Sequence, residues 1–131
     1  MYSDRELLAL AAKAAGLQLC GYSWIGENED DDECEVLESA FVKLHPEQEL
    51  ATKWKPLTDD GDALWLAVKL GLDVDVHRKD PTGGVAGVEV RGYVPRRLLV
   101  TEPASDNGDA LFAATRRAIV RAAAAIGETM Q

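Results

Sequence analysis

The chain is poor in the residues from which catalytic and metal sites are usually built. It has two histidines and two cysteines among 131 residues. No His-x-x-x-His or Cys-x-x-Cys spacing joins them, which excludes the ordinary zinc signatures. Cys34 sits among acids that disfavour the thiolate a nucleophile needs. No serine stands in a Gly-x-Ser-x-Gly setting. Gly83, Gly84 and Gly87 fall in a turn between strands, not between a strand and a helix, so no nucleotide fingerprint is present. Long apolar runs are missing too, since none approaches the ~20 residues of a membrane span. The start, Met1-Tyr2-Ser3-Asp4, lacks the basic then apolar order of a secretory signal. These features predict a cytoplasmic chain whose two cysteines are free thiols. Basic residues are scarce as well. Fourteen Lys and Arg face 23 Asp and Glu, a net charge of −9. Phosphate contacts need clustered Lys and Arg, so direct nucleic-acid binding is not expected. The same charge disfavours an anionic membrane surface and is compatible with a basic protein partner.

What the chain does have is a repeated phrase. Pro56-Leu57-Thr58-Asp59-Asp60-Gly61-Asp62-Ala63-Leu64-Trp65-Leu66-Ala67 returns as Pro103-Ala104-Ser105-Asp106-Asn107-Gly108-Asp109-Ala110-Leu111-Phe112-Ala113-Ala114. Repeated segments build repeated structure. This one reads as a helix entry: a capping side chain, acids in the first turn where the helix dipole favours them, then an apolar stripe. The 47% apolar and 28% charged content suits one globular domain over 1–131. No linker is long enough to split it.

Ser3-Asp4-Arg5-Glu6 is a capping box, and Leu7, Leu10, Ala11 and Ala14 follow at helical spacing. That predicts a first helix over 4–15, stopped by Gly16. A strand is predicted over Leu17 to Ile25. Val36 to Leu44 fits a strand or a short helix; Phe41 and Val42 favour the strand. The polar stretch from Glu47 to Lys55 has Leu50 and Trp54 as anchors. The second helix is capped by Thr58 or Asp59. Ala63, Leu66, Ala67 and Leu70 form its stripe, and Leu64, Trp65 and Val68 widen it towards full burial. Gly71 ends it. Leu72 to His77 and Val88 to Arg91 alternate as an antiparallel hairpin across the Asp80-Pro81-Thr82-Gly83-Gly84 turn. Leu98 to Thr101 adds a short strand. The third helix follows the second repeat, its alanines permit close packing, and Gly127 ends it. The fold expected is α+β: a mostly antiparallel β-sheet layered with about three α-helices.

Trp54-Lys55-Pro56-Leu57-Thr58-Asp59-Asp60-Gly61-Asp62-Ala63, with Leu66-Ala67-Val68-Lys69-Leu70-Gly71 and Ala113-Ala114-Thr115-Arg116-Arg117-Ala118-Ile119-Val120, resembles the phage ABA sandwich domain family of small bacteriophage and prophage proteins. The likeness covers roughly 50–127. It implies a sheet layered between helices and a phage origin. The family supplies no catalytic residues to carry over.

Three features compete as sites. The run Glu27, Glu29, Asp30, Asp31, Asp32, Glu33 and Glu35 reads first as a solvated loop, then as a negative surface offered to a basic groove, and last as a weak cation site. Asp59, Asp60 and Asp62 carry hard oxygens that suit Mg²⁺ or Ca²⁺. Their spacing matches no calcium loop, and capping explains them better. Arg116, Arg117 and Arg121 are expected to pair with surface carboxylates. Of the three tryptophans, Trp54 stands in the most polar surroundings and is the candidate exposed contact. No cofactor and no catalytic residue is expected. The function that follows is an acidic accessory protein acting by protein–protein binding, in its sharpest form an anti-CRISPR-like inhibitor of a host defence complex. A metal-assisted hydrolase using Asp59, Asp60 and Asp62, and a virion assembly protein, are the alternatives.

Overall fold

The structure, a computed structural model, describes residues 2–26, 35–45, 47–79, 84–93, 96–105 and 107–130. The elements are α1 (Asp4–Ala15), β1 (Gln18–Gly26), β2 (Glu35–Lys43), β3 (Thr52–Trp54), α2 (Asp60–Leu70), β4 (Asp73–His77), β5 (Gly87–Tyr93), β6 (Arg96–Pro103) and α3 (Gly108–Glu128). Two three-stranded antiparallel meanders, β1-β2-β3 and β4-β5-β6, stand in place of the single sheet expected. The strand β3 was not foreseen. Its three residues pair with Ala40, Phe41 and Val42 of β2, too short a segment to show an alternating pattern.

The chain therefore runs through an α-β-β-β unit twice and closes with a helix. Both units turn from helix to strand in the same way. Gly16 and Gly71 adopt the left-handed conformation, φ 74° and 62°, where a Cβ would be strained. Leu17 and Leu72 then donate back to Ala12 and Ala67, each at 2.9 Å, which satisfies a carbonyl left open by the helix end. The two helix entries differ slightly in register. Asp59 caps α2 by accepting from the Asp62 amide at 2.8 Å, whereas Asn107, the counterpart of Asp60, caps α3 by accepting from the Ala110 amide at 2.8 Å. The approaches explain the slip. β6 extends through Pro103, but β3 stops at Trp54, and a turn with Thr58 and Asp59 bonded to the Lys55 carbonyl intervenes before α2.

The helices lie between the sheets. Leu8, Ala11 and Ala12 of α1 and Ala63, Leu66 and Ala67 of α2 share a core with Ala40, Val42 and Trp54 of the first sheet. Val88, Val90 and Val100 of the second sheet pack on Ala114, Ala118 and Ala122 of α3. The other side of α3, Ile119, Val120, Ala123 and Ala124, belongs to the first core. The order is thus sheet, α1 and α2, α3, sheet, the reverse of the layering that the family resemblance implies. The α1–α3 contact is the most extensive between helices. It is an alanine seam, as the composition of α3 led one to expect. Gly127 does not end α3, which continues to Glu128. It sits where the backbone of Leu10 crosses, too near for any side chain. Tyr2 Oη donates to Glu128 Oε1 at 2.6 Å and ties the first residues to the end of α3. That bond holds the phenol above the ordinary tyrosine pKa.

Three packing expectations need correction. Leu50 is exposed and anchors nothing. Leu64, Trp65 and Val68 do not extend the buried face of α2 but stand outside it. Trp54 is the buried tryptophan, 4% exposed: it anchors its stretch as expected and is not an exposed contact. The strand β3 pairs it with Ala40, on the side of the sheet that meets the helices. Its indole nitrogen is closed off and has no acceptor among the described residues.

Ser39 is fully buried, and among the described residues its hydroxyl also has no partner. An orphan buried hydroxyl costs about 1–3 kcal/mol. Ser39→Ala removes that cost with little change of volume. It is expected to raise stability by about 1 kcal/mol, read as a higher urea midpoint at unchanged slope.

Candidate functional site

The described surface that stands out is centred on α2. This helix buries only a narrow face, Ala63, Leu66 and Ala67. Its outer side carries Leu64 at 64% exposure and Val68 at 73%, one turn apart, with Trp65 partly exposed beside them. Across a groove of about 270 Å³ stands Phe112 of α3, 60% exposed. Ala63, Ala67, Val74 and Ile119 make the groove floor and walls almost wholly apolar. Exposed apolar side chains grouped round an apolar groove are costly to leave in water.

The origin of the surface is local. Positions 64, 65 and 68 lie round the helix from 63, 66 and 67, and among the described residues it is α3, not α2, that packs on the face of the second sheet. The repeat contributes as well: Trp65 and Phe112 are counterpart residues, and both copies leave the aromatic outside.

Polar groups border the groove. Arg116 Nη1 meets Asp60 Oδ1 at 2.6 Å, and Arg116 Nε donates to the Leu57 carbonyl at 3.0 Å. This guanidinium fastens α3 to the entry of α2. Arg117 pairs with Asp4 at 3.2 Å and Arg121 with Glu102, so all three α3 arginines meet carboxylates as expected. Between β4 and β5, Arg91 bonds Glu89 at 2.6 Å and Asp75 at 2.9 Å. The Glu89 hydrogen bond, followed by the nearby negative charges, raises the Arg91 pKa above its ordinary value.

The three aspartates at the start of α2 each have a bonding task. Asp59 caps the helix, Asp60 pairs with Arg116, and Asp62 Oδ2 accepts from the Lys55 amide at 2.9 Å. Capping accounts for Asp59 alone; the other two carboxylates tie the helix entry to α3 and to the segment before it. Among the described residues no three His, Cys, Asp or Glu side chains gather as a metal-binding group. His77 Nε2 lies 4.0 Å from Glu89, and Cys20 is exposed, its thiol donating to the Gln18 carbonyl at 3.6 Å.

Of the acidic run, Glu27, Glu29, Asp30, Asp31, Asp32 and Glu33 lie outside the described residues; Glu35 opens β2. In the sequence the α2 surface is visible only as a stripe wider than a helix beside a single sheet can bury, and the expectation of full burial hides it as a site.

No helix is long and apolar enough, among the described residues, to cross a membrane. No family model, curated protein or solved structure matches the chain.

Proposed function

We propose that this chain acts by binding another protein, with the α2 surface and its groove as the docking face. The observation that carries the reading is that Leu64 and Phe112, both exposed, line one apolar groove, with Val68 exposed one turn beyond Leu64 on α2. Exposed aromatic and aliphatic side chains around a groove are the usual anchors of protein interfaces. The net charge of −9 supports a basic partner, through steering and rim contacts. In its sharpest form the chain is a phage-encoded accessory protein in the cytoplasm of a bacterial cell, inhibiting a host defence complex by occupying a basic channel. The charge is what supports that form.

The test pairs Leu64→Asp with Phe112→Asp in one variant. Both side chains are exposed, so the thermal midpoint should hold within a few degrees. The wild-type chain should retain a stoichiometric partner from its own host, and the double variant should lose it by at least about a hundredfold in Kd. Undiminished capture by a folded double variant would remove the α2 surface from the account. The channel-blocking form makes a separate demand: affinity must fall as salt rises, and salt-indifferent binding removes it.

A further inference from the structure

On the other side of α2 from the groove is a second cavity, of about 160 Å³, bounded by Trp54, Trp65, Asp62, Lys53, Leu17 and Val42 among others. We propose that it receives a cationic side chain, an arginine guanidinium or a lysine ammonium, from the protein that docks on α2. The inference rests on the binding reading above and adds the chemistry of one contact.

Two tryptophans and a carboxylate around one small cavity are a recurrent arrangement for holding an organic cation. The indole nitrogen of Trp54 is sealed from solvent. What Trp54 offers an occupant is therefore ring carbon and not a hydrogen-bond donor. Trp65 is half out of the surface and forms part of the same wall. Asp62 is held in place by the Lys55 amide, which takes Oδ2. Among the described residues Oδ1 has no hydrogen-bond donor. Asp62 thus brings a carboxylate, held through its other oxygen, to a lining that also includes two tryptophans, and a charged donor there would form the stronger, charge-assisted bond. Lys53 is the opposing charge in the lining. It already interacts within the protein, its side chain is exposed, and its long stem allows the ammonium to stay in water. The surplus of carboxylates in the chain favours a cation over an anion.

The cavity can be tested without knowing the partner. The probe is Nα-acetyl-arginine methylamide, with the neutral norleucine analogue and sodium acetate as controls, titrated into the full chain. The readout is the indole N–H signals of the three tryptophans in ¹H–¹⁵N spectra. The arginine probe should shift Trp65 and Trp54 saturably and leave Trp24 in place. Asp62→Asn keeps an acceptor for the Lys55 amide, so the helix entry survives. It should weaken the probe about fivefold, and Trp65→Leu should do the same. Lys53→Met should tighten it. Three results would overturn the proposal. They are no saturable shift with the arginine probe, equal binding of the norleucine analogue, and binding of acetate that is lost in Lys53→Met. Failure here, with partner capture still lost in the Leu64/Phe112 double variant, rejects the cation cavity alone. Failure of both rejects the docking face as well.

Discussion

Gly127→Ala is expected to destabilise the protein by about 3 kcal/mol, a fall of roughly 10 °C in thermal midpoint for a chain of this size. On an exposed helix the same change would help, because glycine costs about 1 kcal/mol relative to alanine in a helix interior. Here the sign reverses. A Cβ on Gly127 would stand 2.8 Å from the Leu10 carbonyl carbon and nearer still to its oxygen. Both groups are backbone, so neither can turn aside as a flexible side chain could. Relief requires α1 and α3 to separate along a seam packed with Ala11, Ala12, Ala123 and Ala124, and each of those contacts weakens together. Urea or thermal unfolding of the single variant measures the effect. A variant as stable as the parent would mean that the two helices do not cross at this point.

Leu66→Ala is expected to cost about 3–4 kcal/mol, in the middle of the range for fully buried leucines. Leu66 is completely enclosed, on the α2 face that meets α1 and the first sheet. Removing its methyl groups loses transfer energy and opens a hole that the rigid helix and sheet cannot close. Leu64→Ala, two residues away, supplies the internal comparison. With most of its surface already in water, it should change stability by no more than about 0.5 kcal/mol. Equal losses at the two positions would show that the α2 surface is not outside the core, and the docking face would fall with it. A large loss at 66 and a negligible one at 64 fixes the rotation of the helix about its axis.

The helices were legible in the sequence because their signals are local. Ser3 and the glycines at 16 and 71 act within a turn of their own positions, and the structure uses them as read; of the two caps open for α2, Thr58 and Asp59, it uses Asp59. The hairpin from β4 to β5 was legible for the same reason: alternation on both sides of a strong turn. What failed was whatever depended on distant parts of the chain. Trp54 was judged by its polar neighbours in sequence, but its surroundings are set by pairing with Ala40. Gly127 was judged a helix stop, as glycines near helix ends usually are; its reason is the carbonyl of Leu10, more than a hundred residues earlier. The stripe on α2 was assigned wholly to the core because nothing in the sequence says which helix covers which sheet. That choice decided the candidate site. Once α3 takes the second sheet, part of the α2 stripe has nowhere to go, and the exposed remainder is the surface on which the proposed function stands.

The closing helix has a larger role than its place at the end of the order suggests. With Ala114, Ala118 and Ala122 turned to one core and Ile119, Val120, Ala123 and Ala124 to the other, α3 is a party wall between two rooms. Neither unit could be cut away and keep its own interior dry. Two α-β-β-β units without the closing helix would leave the inner face of the second sheet bare, and the second copy of the helix entry starts the helix that covers it.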